Sequence, residues 1–499
     1  MTPARISRSH RSVERAGIKG FLLLAVMGLA VAGQGGEIPK APVPPSPFLP
    51  VVYRYADAML ERGRDTYGPQ KTGLLLSALD RATLAPLTNR PNGLALMRPG
   101  KPSGANLQHD ENLLRLLYTL SELSAKPRYR EAADAELKWF LENARSPATS
   151  LLPWGEHMSW DPINDQPVDA SGAEEGGHRF FRPWLLWDRC FALAPDASRK
   201  FALGLWEHQI ANHNTGAFHR RAAYFKHLTM EGVDSPRDAG FYIRTWAAAY
   251  AHTKDEQFLR PIDVMLSRYE KMRRFTTGLI QDFSNSTNSR LETTLSLAID
   301  CDGAAHHVSG PLAARLRAFA AREDEVFCSL PHDVRRTGGF LYYLTQATAK
   351  PVAGPTSLWD AGFGGITTAR MGMMCVSRYE NTGKIGYREL IHAAADAYMK
   401  SLPAETEDAW PGTFGQAISL QVAAWRSTAK PEYLDHAREL ADFGVQKFFD
   451  QGALPRASLK THHYESITGA DTLALGLVEL HLHILAITAV RCPQNTIDR

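Results

Sequence analysis

Apolar residues recur along most of this chain with the 3.6-residue period of a helix. In Asn106 to Ser124, NLQHDENLLRLLYTLSELS, that period sets Leu113, Leu116, Leu117, Leu120 and Leu123 on one face. Thr245 to Tyr250, Ala393 to Tyr398 and Gln416 to Trp425 behave alike. About 12 to 14 such segments are expected, and strand-like alternation is scarce. A weak repeat overlies them: an aromatic residue followed four positions later by Ala or Ile at Tyr129/Ala133, Phe258/Ile262, Tyr387/Ile391 and Tyr433/Ala437. Phe140, Tyr269 and Tyr398 follow the first three aromatics by eleven positions, as in amphipathic helices packed on their neighbours. The pattern predicts an all-α fold, an α/α toroid of six or seven helical hairpins rather than an open solenoid. The toroid is favoured because the unusual polar and aromatic motifs lie in linkers, which a toroid gathers around one mouth.

The N-terminus departs from this pattern. A basic stretch to Lys19 precedes thirteen apolar residues ending in Ala30-Val31-Ala32, which reads as a signal peptide over residues 1–32. A Pro-rich linker (33–50), with six prolines between Pro39 and Pro50, resists helix formation. The toroid is expected over 51–490 and a tail over 491–499. Thirteen apolar residues fall short of the roughly 20 that span a bilayer, and no later stretch is long enough, so a periplasmic or secreted protein without a membrane span is expected. The leader carries five basic residues and one acid of a chain whose net charge is +3, so the remainder has a net charge of −1. A nucleic-acid binder driven by bulk charge is excluded on that balance. The five cysteines follow no CxxC or CxxH spacing, which excludes a zinc ribbon or a disulfide-built scaffold.

Four linkers hold the chemistry: WGEHMSWD (Trp154 to Asp161), EEGGHR (Glu174 to Arg179), FHRRAAY (Phe218 to Tyr224) and KTHHYE (Lys460 to Glu465). Aromatic platforms beside guanidinium groups suit a sugar acid, because rings stack on pyranose faces and Arg makes bidentate contacts to a carboxylate. Trp154, Tyr224, His463, Tyr464 and Arg221 are the expected substrate contacts. His with Glu suits a divalent ion of the Mn²⁺ or Zn²⁺ kind better than Ca²⁺. A hydrolase would instead need two facing carboxylates, for which Asp161, Asp234, Asp238, Glu407 and Asp471 are conceivable. Nucleophile elbows, phosphate loops and dinucleotide fingerprints are absent from the sequence.

The order of motifs resembles the family 2 polysaccharide lyases, pectate lyases with an α/α toroid fold. The resemblance is carried by Tyr67-Gly68 with Thr72-Gly73-Leu74, the helix from Asn112 to Ser121, Trp154-Gly155-x-His157, Pro183-Trp184, and Leu205-Trp206-x-x-Gln209 leading to Phe218-x-Arg220. It continues through Trp410-Pro411-Gly412-Thr413-Phe414-Gly415-Gln416 and His463-Tyr464-Glu465-x-Ile467-Thr468-Gly469-Ala470-Asp471. The resemblance implies an extracytoplasmic lyase that cleaves an acidic polysaccharide or oligouronide by β-elimination. Arg220 would take the C5 proton, and His157 would be the first of two His and one Glu that hold a divalent ion, Mn²⁺ or similar, on the substrate carboxylate. Two positions depart from the family pattern: Arg221 stands where the second His is expected, and the acidic ligand falls near Gly177, leaving Glu175 and His178 as displaced candidates. A second guanidinium from Arg221 can supply part of the charge stabilisation without metal. Arg is an awkward base because it stays protonated near neutrality, so Arg220 in that role predicts an alkaline optimum and His219 is the alternative base. A glycoside hydrolase on the same fold, a silent carbohydrate-binding relative and a purely structural helical scaffold are the competing readings.

Overall fold

A computed structural model describes residues 46–87, 104–360, 365–399 and 401–496. Its helices are α1 (Phe48–Glu61), α2 (Glu111–Ser124), α3 (Arg128–Asn143), α4 (Trp187–Leu193), α5 (Pro195–Gly204), α6 (Pro236–Thr253), α7 (Leu259–Met272), α8 (Leu291–Ala304), α9 (Gly310–Ser329), α10 (Val334–Thr337), α11 (Thr368–Thr382), α12 (Ile385–Tyr398), α13 (Pro411–Thr428), α14 (Pro431–Gly444) and α15 (Ala470–Ile484). The expected signal peptide and most of the linker fall outside the described residues. α1 begins at Phe48, three residues before the boundary expected from the prolines, because Pro47 precedes the helix and Pro50 lies in its first turn, where a missing N–H costs no bond.

Burial sorts the helices into two rings. α6, α8, α11, α13 and α15 are buried over most of their length, whereas α3, α7, α9, α12 and α14 bury one stripe and expose the other. The inner helices pack in the order α4, α6, α8, α11, α13, α15, α2. The Leu185 amide, just before α4, donates to Glu111 Oε1 at the start of α2 over 2.5 Å and links those two ends of the ring. α1, from the N-terminal end, packs on α15, so the pairs α15/α1, α2/α3, α4/α5, α6/α7, α8/α9, α11/α12 and α13/α14 make an α/α toroid of seven hairpins. Residues 491–496 are folded rather than a free tail: Asn495 is buried and its Nδ2 donates to the Thr472 carbonyl over 2.9 Å.

The aromatic repeat marks the outer ring. Tyr129, Phe258, Tyr387 and Tyr433 stand at or near the starts of α3, α7, α12 and α14, and all are buried. Three of the hydroxyls donate to an Asp of the preceding outer helix: Tyr129 to Asp57 (2.7 Å), Tyr387 to Asp324 (2.7 Å) and Tyr433 to Asp396 (2.6 Å). Each ring therefore fills the groove between neighbours and ties them laterally. Phe258 lacks the hydroxyl, and there Arg199 of α5 bonds Asp255 instead.

Connections from inner to outer helices are short, as at 125–127, 254–258 and 429–430, while those from outer to inner are long, as at 62–110, 144–186, 205–235, 273–290, 330–367, 399–410 and 445–469. All long linkers consequently gather at the end where the inner helices begin.

Candidate active site

Two of these linkers build one charged cluster. The segment between α3 and α4 forms a hairpin of Met158–Asp161 with Gln166–Asp169, then a short strand, Gly177–His178, which pairs antiparallel with Ala222–Ala223 from the linker before α6. Gly177 lies opposite Ala223 and His178 opposite Ala222, which brings positions 156, 157, 177 and 221 together. Gly155 permits the approach: its φ is +103°, and a Cβ there would sit 1.9 Å from the Arg179 carbonyl oxygen. Asp169 pins the returning loop by accepting the amides of Ser171 and Gly177, each at 2.6 Å.

Glu156 is the centre of the cluster. Its Oε2 accepts from Arg179 Nη1 at 2.6 Å and Arg221 Nη2 at 3.1 Å, and Oε1 lies 3.7 Å from His157 Nε2. Burial alone would raise the Glu156 carboxyl, but Arg179, His157 and Arg221 together outweigh it and hold the group down at about 2. Arg179 is buried, with Nε 3.7 Å from Asp238 at the start of α6. Arg220 differs from both. Its amide donates to the Val233 carbonyl (3.1 Å), but its guanidinium makes no hydrogen bond or ion pair among the described residues and lies 5.9 Å from the Phe283 ring centroid. Partial burial, then the charges of Arg179 and Arg221, lower its pKa despite the opposing pull of Glu156 and Asp238. His219 is lowered too, by burial and then by Arg220, Arg221 and Arg179, which favours the neutral ring. Its Nδ1 lies 3.2 Å from both the amide nitrogen and the carbonyl oxygen of Arg221; only the tautomer that donates to the carbonyl leaves Nε2 bare.

Four expected sugar contacts are corrected. Trp154 is fully buried, with Phe180, Trp184 and Phe201 each at 5.2 Å between ring centroids, so it stacks on the core rather than on a pyranose. Tyr224 is buried and donates to the Ala144 carbonyl (2.6 Å). Tyr464 shares a 3.0 Å hydrogen bond with the buried Tyr55 hydroxyl, and His463 is buried with Nε2 3.7 Å from Glu465 Oε1. The three candidate metal ligands are not brought together among the described residues. His178 faces the opposite side of its strand from Gly177, as successive strand residues do, and enters the aromatic core beside Trp154, Phe180 and Phe201. Its Nδ1 bonds the Leu152 carbonyl (2.8 Å), and burial lowers the ring to about 4, which keeps it neutral. Among the described residues no three or more His, Cys, Asp or Glu side chains are placed to hold a metal ion, so His157, Glu175 and His178 do not form a ligand set. Instead His157 Nε2 meets Arg221 Nη2 at 2.8 Å, and a divalent ion does not fit beside that guanidinium.

The carboxylates a hydrolase would use are all engaged or remote. Asp161 caps its own hairpin turn through Ile163 and Asn164, Asp234 pairs with Arg268, Asp238 lies beside Arg179 and Arg237, Glu407 accepts the Ala404 amide, and Asp471 accepts the Leu113 amide.

Glu156, Arg179, Gly177 and Phe283 are the cluster members that motif reading left without a role. Glu156 and Arg179 are sequence neighbours of His157 and His178, a signal that was present; Phe283 sits in a linker with no motif. A cavity of about 80 Å³ opens where α11, α13 and α15 begin, walled by Phe181, Arg182, Arg370, Trp410, Gln416 and Thr468. Phe181 and Arg182 belong to the segment that carries Arg179, so cluster and cavity share one wall. Trp410 is half-buried and lines that cavity, whereas Trp154 is fully buried.

Residues 73–239, which include every member of the cluster except Phe283, match the family described as periplasmic pectate lyase. Among solved structures, the chain is similar to a D-mannose isomerase (8% identity, TM-score 0.48, covering 87% of this chain and 96% of that one). It is also similar to the cellobiose 2-epimerase of Bacillus thermoamylovorans (8%, 0.49, 88% and 99%) and to the GH76A α-1,6-mannanase of Salegentibacter sp. (9%, 0.44, 87% and 99%). No described helix is long and apolar enough to cross a membrane.

Proposed function

We propose that this pectate-lyase-like chain is an extracytoplasmic lyase that cleaves a uronate-containing polysaccharide by β-elimination. The observation that carries the reading is the Arg220 guanidinium, untied among the described residues, beside the fixed Glu156–Arg221–His157 group, within the segment that matches the family. In the reaction a base removes the C5 proton, the electrons form the C4–C5 double bond, the C4–O bond breaks, and the departing oxygen takes up a proton. Negative charge grows on the C6 carboxylate as the C5 proton leaves, so a cation beside that carboxylate lowers the barrier. Arg220 serves as base only through its neutral fraction, which burial and the two neighbouring guanidinium groups enlarge; rate should therefore rise toward alkaline pH. His219, neutral in this setting, is the alternative base in the tautomer with Nε2 bare. The cavity walled by Trp410 and Arg182 would bind neighbouring sugars of the polymer. Export through the N-terminal signal fits the periplasmic setting in the family description.

The test is incubation of the protein with polygalacturonate, alginate and glucuronan while ultraviolet absorbance of unsaturated ends is followed. A rising signal supports the lyase. New reducing ends without it would replace the lyase by a hydrolase, and neither signal would leave a carbohydrate-binding relative.

A further inference from the structure

We infer that Arg221 stands in this site as a built-in cation where related chemistry uses a divalent ion, and that Gly177 and Arg221 together decide between the two. Arg221 Nη2 is 2.8 Å from His157 Nε2 and 3.1 Å from Glu156 Oε2. A guanidinium has donors only, so the His157 lone pair that would bind a metal is directed at Arg221. Gly177 keeps the space open. Its φ lies outside the left-handed region, so the backbone does not require glycine there; a Cβ would instead stand 3.7 Å from Arg221 Cδ and 3.2 Å from Asp169 Oδ2. Any longer side chain at 177 would run into the arginine or the carboxylate that pins the loop. Small residue and large cation are thus complementary across the 177–223 strand pair.

The guanidinium also has capacity left for a ligand. About a third of the Arg221 side chain is exposed, against 6% for Glu156. Among the described residues its Nε–H is buried without a hydrogen-bond partner, and Glu156 and His157 engage only Nη2. An arriving carboxylate can accept from Nη1, which no described residue engages, while Glu156, the positioning residue, holds Nη2. This carboxylate role rests on the uronate-lyase reading; the exchange of metal for guanidinium does not.

Titration of Mn²⁺ into the full chain, followed by calorimetry and by the Mn²⁺ paramagnetic signal, tests the exchange directly. The unaltered protein should show no saturable binding that His157→Ala abolishes, whereas Gly177→Glu/Arg221→His should bind Mn²⁺ about 100-fold more tightly and lose that gain with His157→Ala. Saturable, His157-dependent binding with Arg221 in place would overturn the inference, as would a folded double variant with no gain. If circular dichroism shows the double variant unfolded, chelator decides: turnover of a uronan by the unaltered protein should stay within about twofold in EDTA, while Arg221→Ala loses about 100-fold and is not restored by Mn²⁺. Loss of turnover in EDTA with recovery on Mn²⁺ would overturn it. If no uronan is turned over, the proposed lyase function falls, and the Mn²⁺ titration, with Arg221→His alone as the second variant, still judges the exchange.

Discussion

Two linkers at the same end of the toroid each bring a His and a Glu within two positions, Gly155-Glu156-His157 and His463-Tyr464-Glu465, and lie in opposite electrostatic surroundings. Around Glu156, burial is outweighed chiefly by the Arg179 and Arg221 guanidinium groups, and the carboxylate stays charged. Around Tyr464, burial wins. Glu136 rises to about 8 because burial outweighs the pull of Arg64, and Asp110 rises through burial with Glu136 and Asp471 nearby. The Tyr464 hydroxyl turns inward to Tyr55. A buried acid remains an ion only where several cations are held around it. The first linker thus carries fixed charges at the mouth, and the second has become packing.

The largest effect expected from this contrast is on turnover. Arg220→Ala should lower kcat on a uronan by about 10³-fold, in the range general-base losses take, read from the absorbance of unsaturated ends. Because its guanidinium has no hydrogen-bond partner among the described residues, urea unfolding should shift by less than about 0.5 kcal/mol. Near-normal activity would remove Arg220 from the chemistry. Glu156→Ala should destabilise the fold by about 3–5 kcal/mol in urea titrations, the cost of leaving a buried partner such as Arg179 uncompensated; a loss below about 1 kcal/mol would mean the cluster is solvated and the contrast false.

Thermal melts across pH sharpen the comparison further. Glu156 is depressed from 4.5 to about 2, so its stabilisation is complete above pH 4.5 and is lost as pH falls toward 2. Glu136 is raised from 4.5 to about 8, so the fold holds a proton that the unfolded chain releases, and stability drops as pH rises from 4.5 to 8. Glu156→Gln should flatten the acid limb, and Glu136→Gln should remove part of the decline between pH 4.5 and 8. The rest of that decline belongs in part to Glu111, also raised to about 8 by burial. A Glu136→Gln curve parallel to that of the unaltered protein would refute the assignment. The smallest effect is Tyr464→Phe: about 1 kcal/mol from the lost Tyr55 hydrogen bond, with turnover within about twofold. A large rise in KM would return Tyr464 to the substrate.

Much of the fold was legible because it rests on local rules. The leucine spacing of α2 and the aromatic repeat of the outer helices follow from helical geometry, and each buried aromatic of the repeat lies where the period puts it. The site was legible in its members but less so in their roles. Arg220, Arg221 and His157 converge as their motifs suggested, while His178 and Trp154 point into the core. A strand shows alternate residues to opposite faces, so a one-residue step separates Gly177 in the cluster from His178 in the aromatic core. No residue count or motif spacing reports that face.

Sequence by itself therefore determined the helical period, the paired rings and the linkers that hold polar chemistry, since these depend on residues a few positions apart. Only the tertiary structure decided which of those polar residues remain charged and open. That outcome depends on the pairing of Gly177 with Ala223, on the glycine at 155 that admits the Arg179 backbone, and on how many guanidinium groups surround each buried carboxylate. Charge in a low-dielectric interior is set by neighbours distant in the chain, 65 residues away in the case of Glu156 and Arg221.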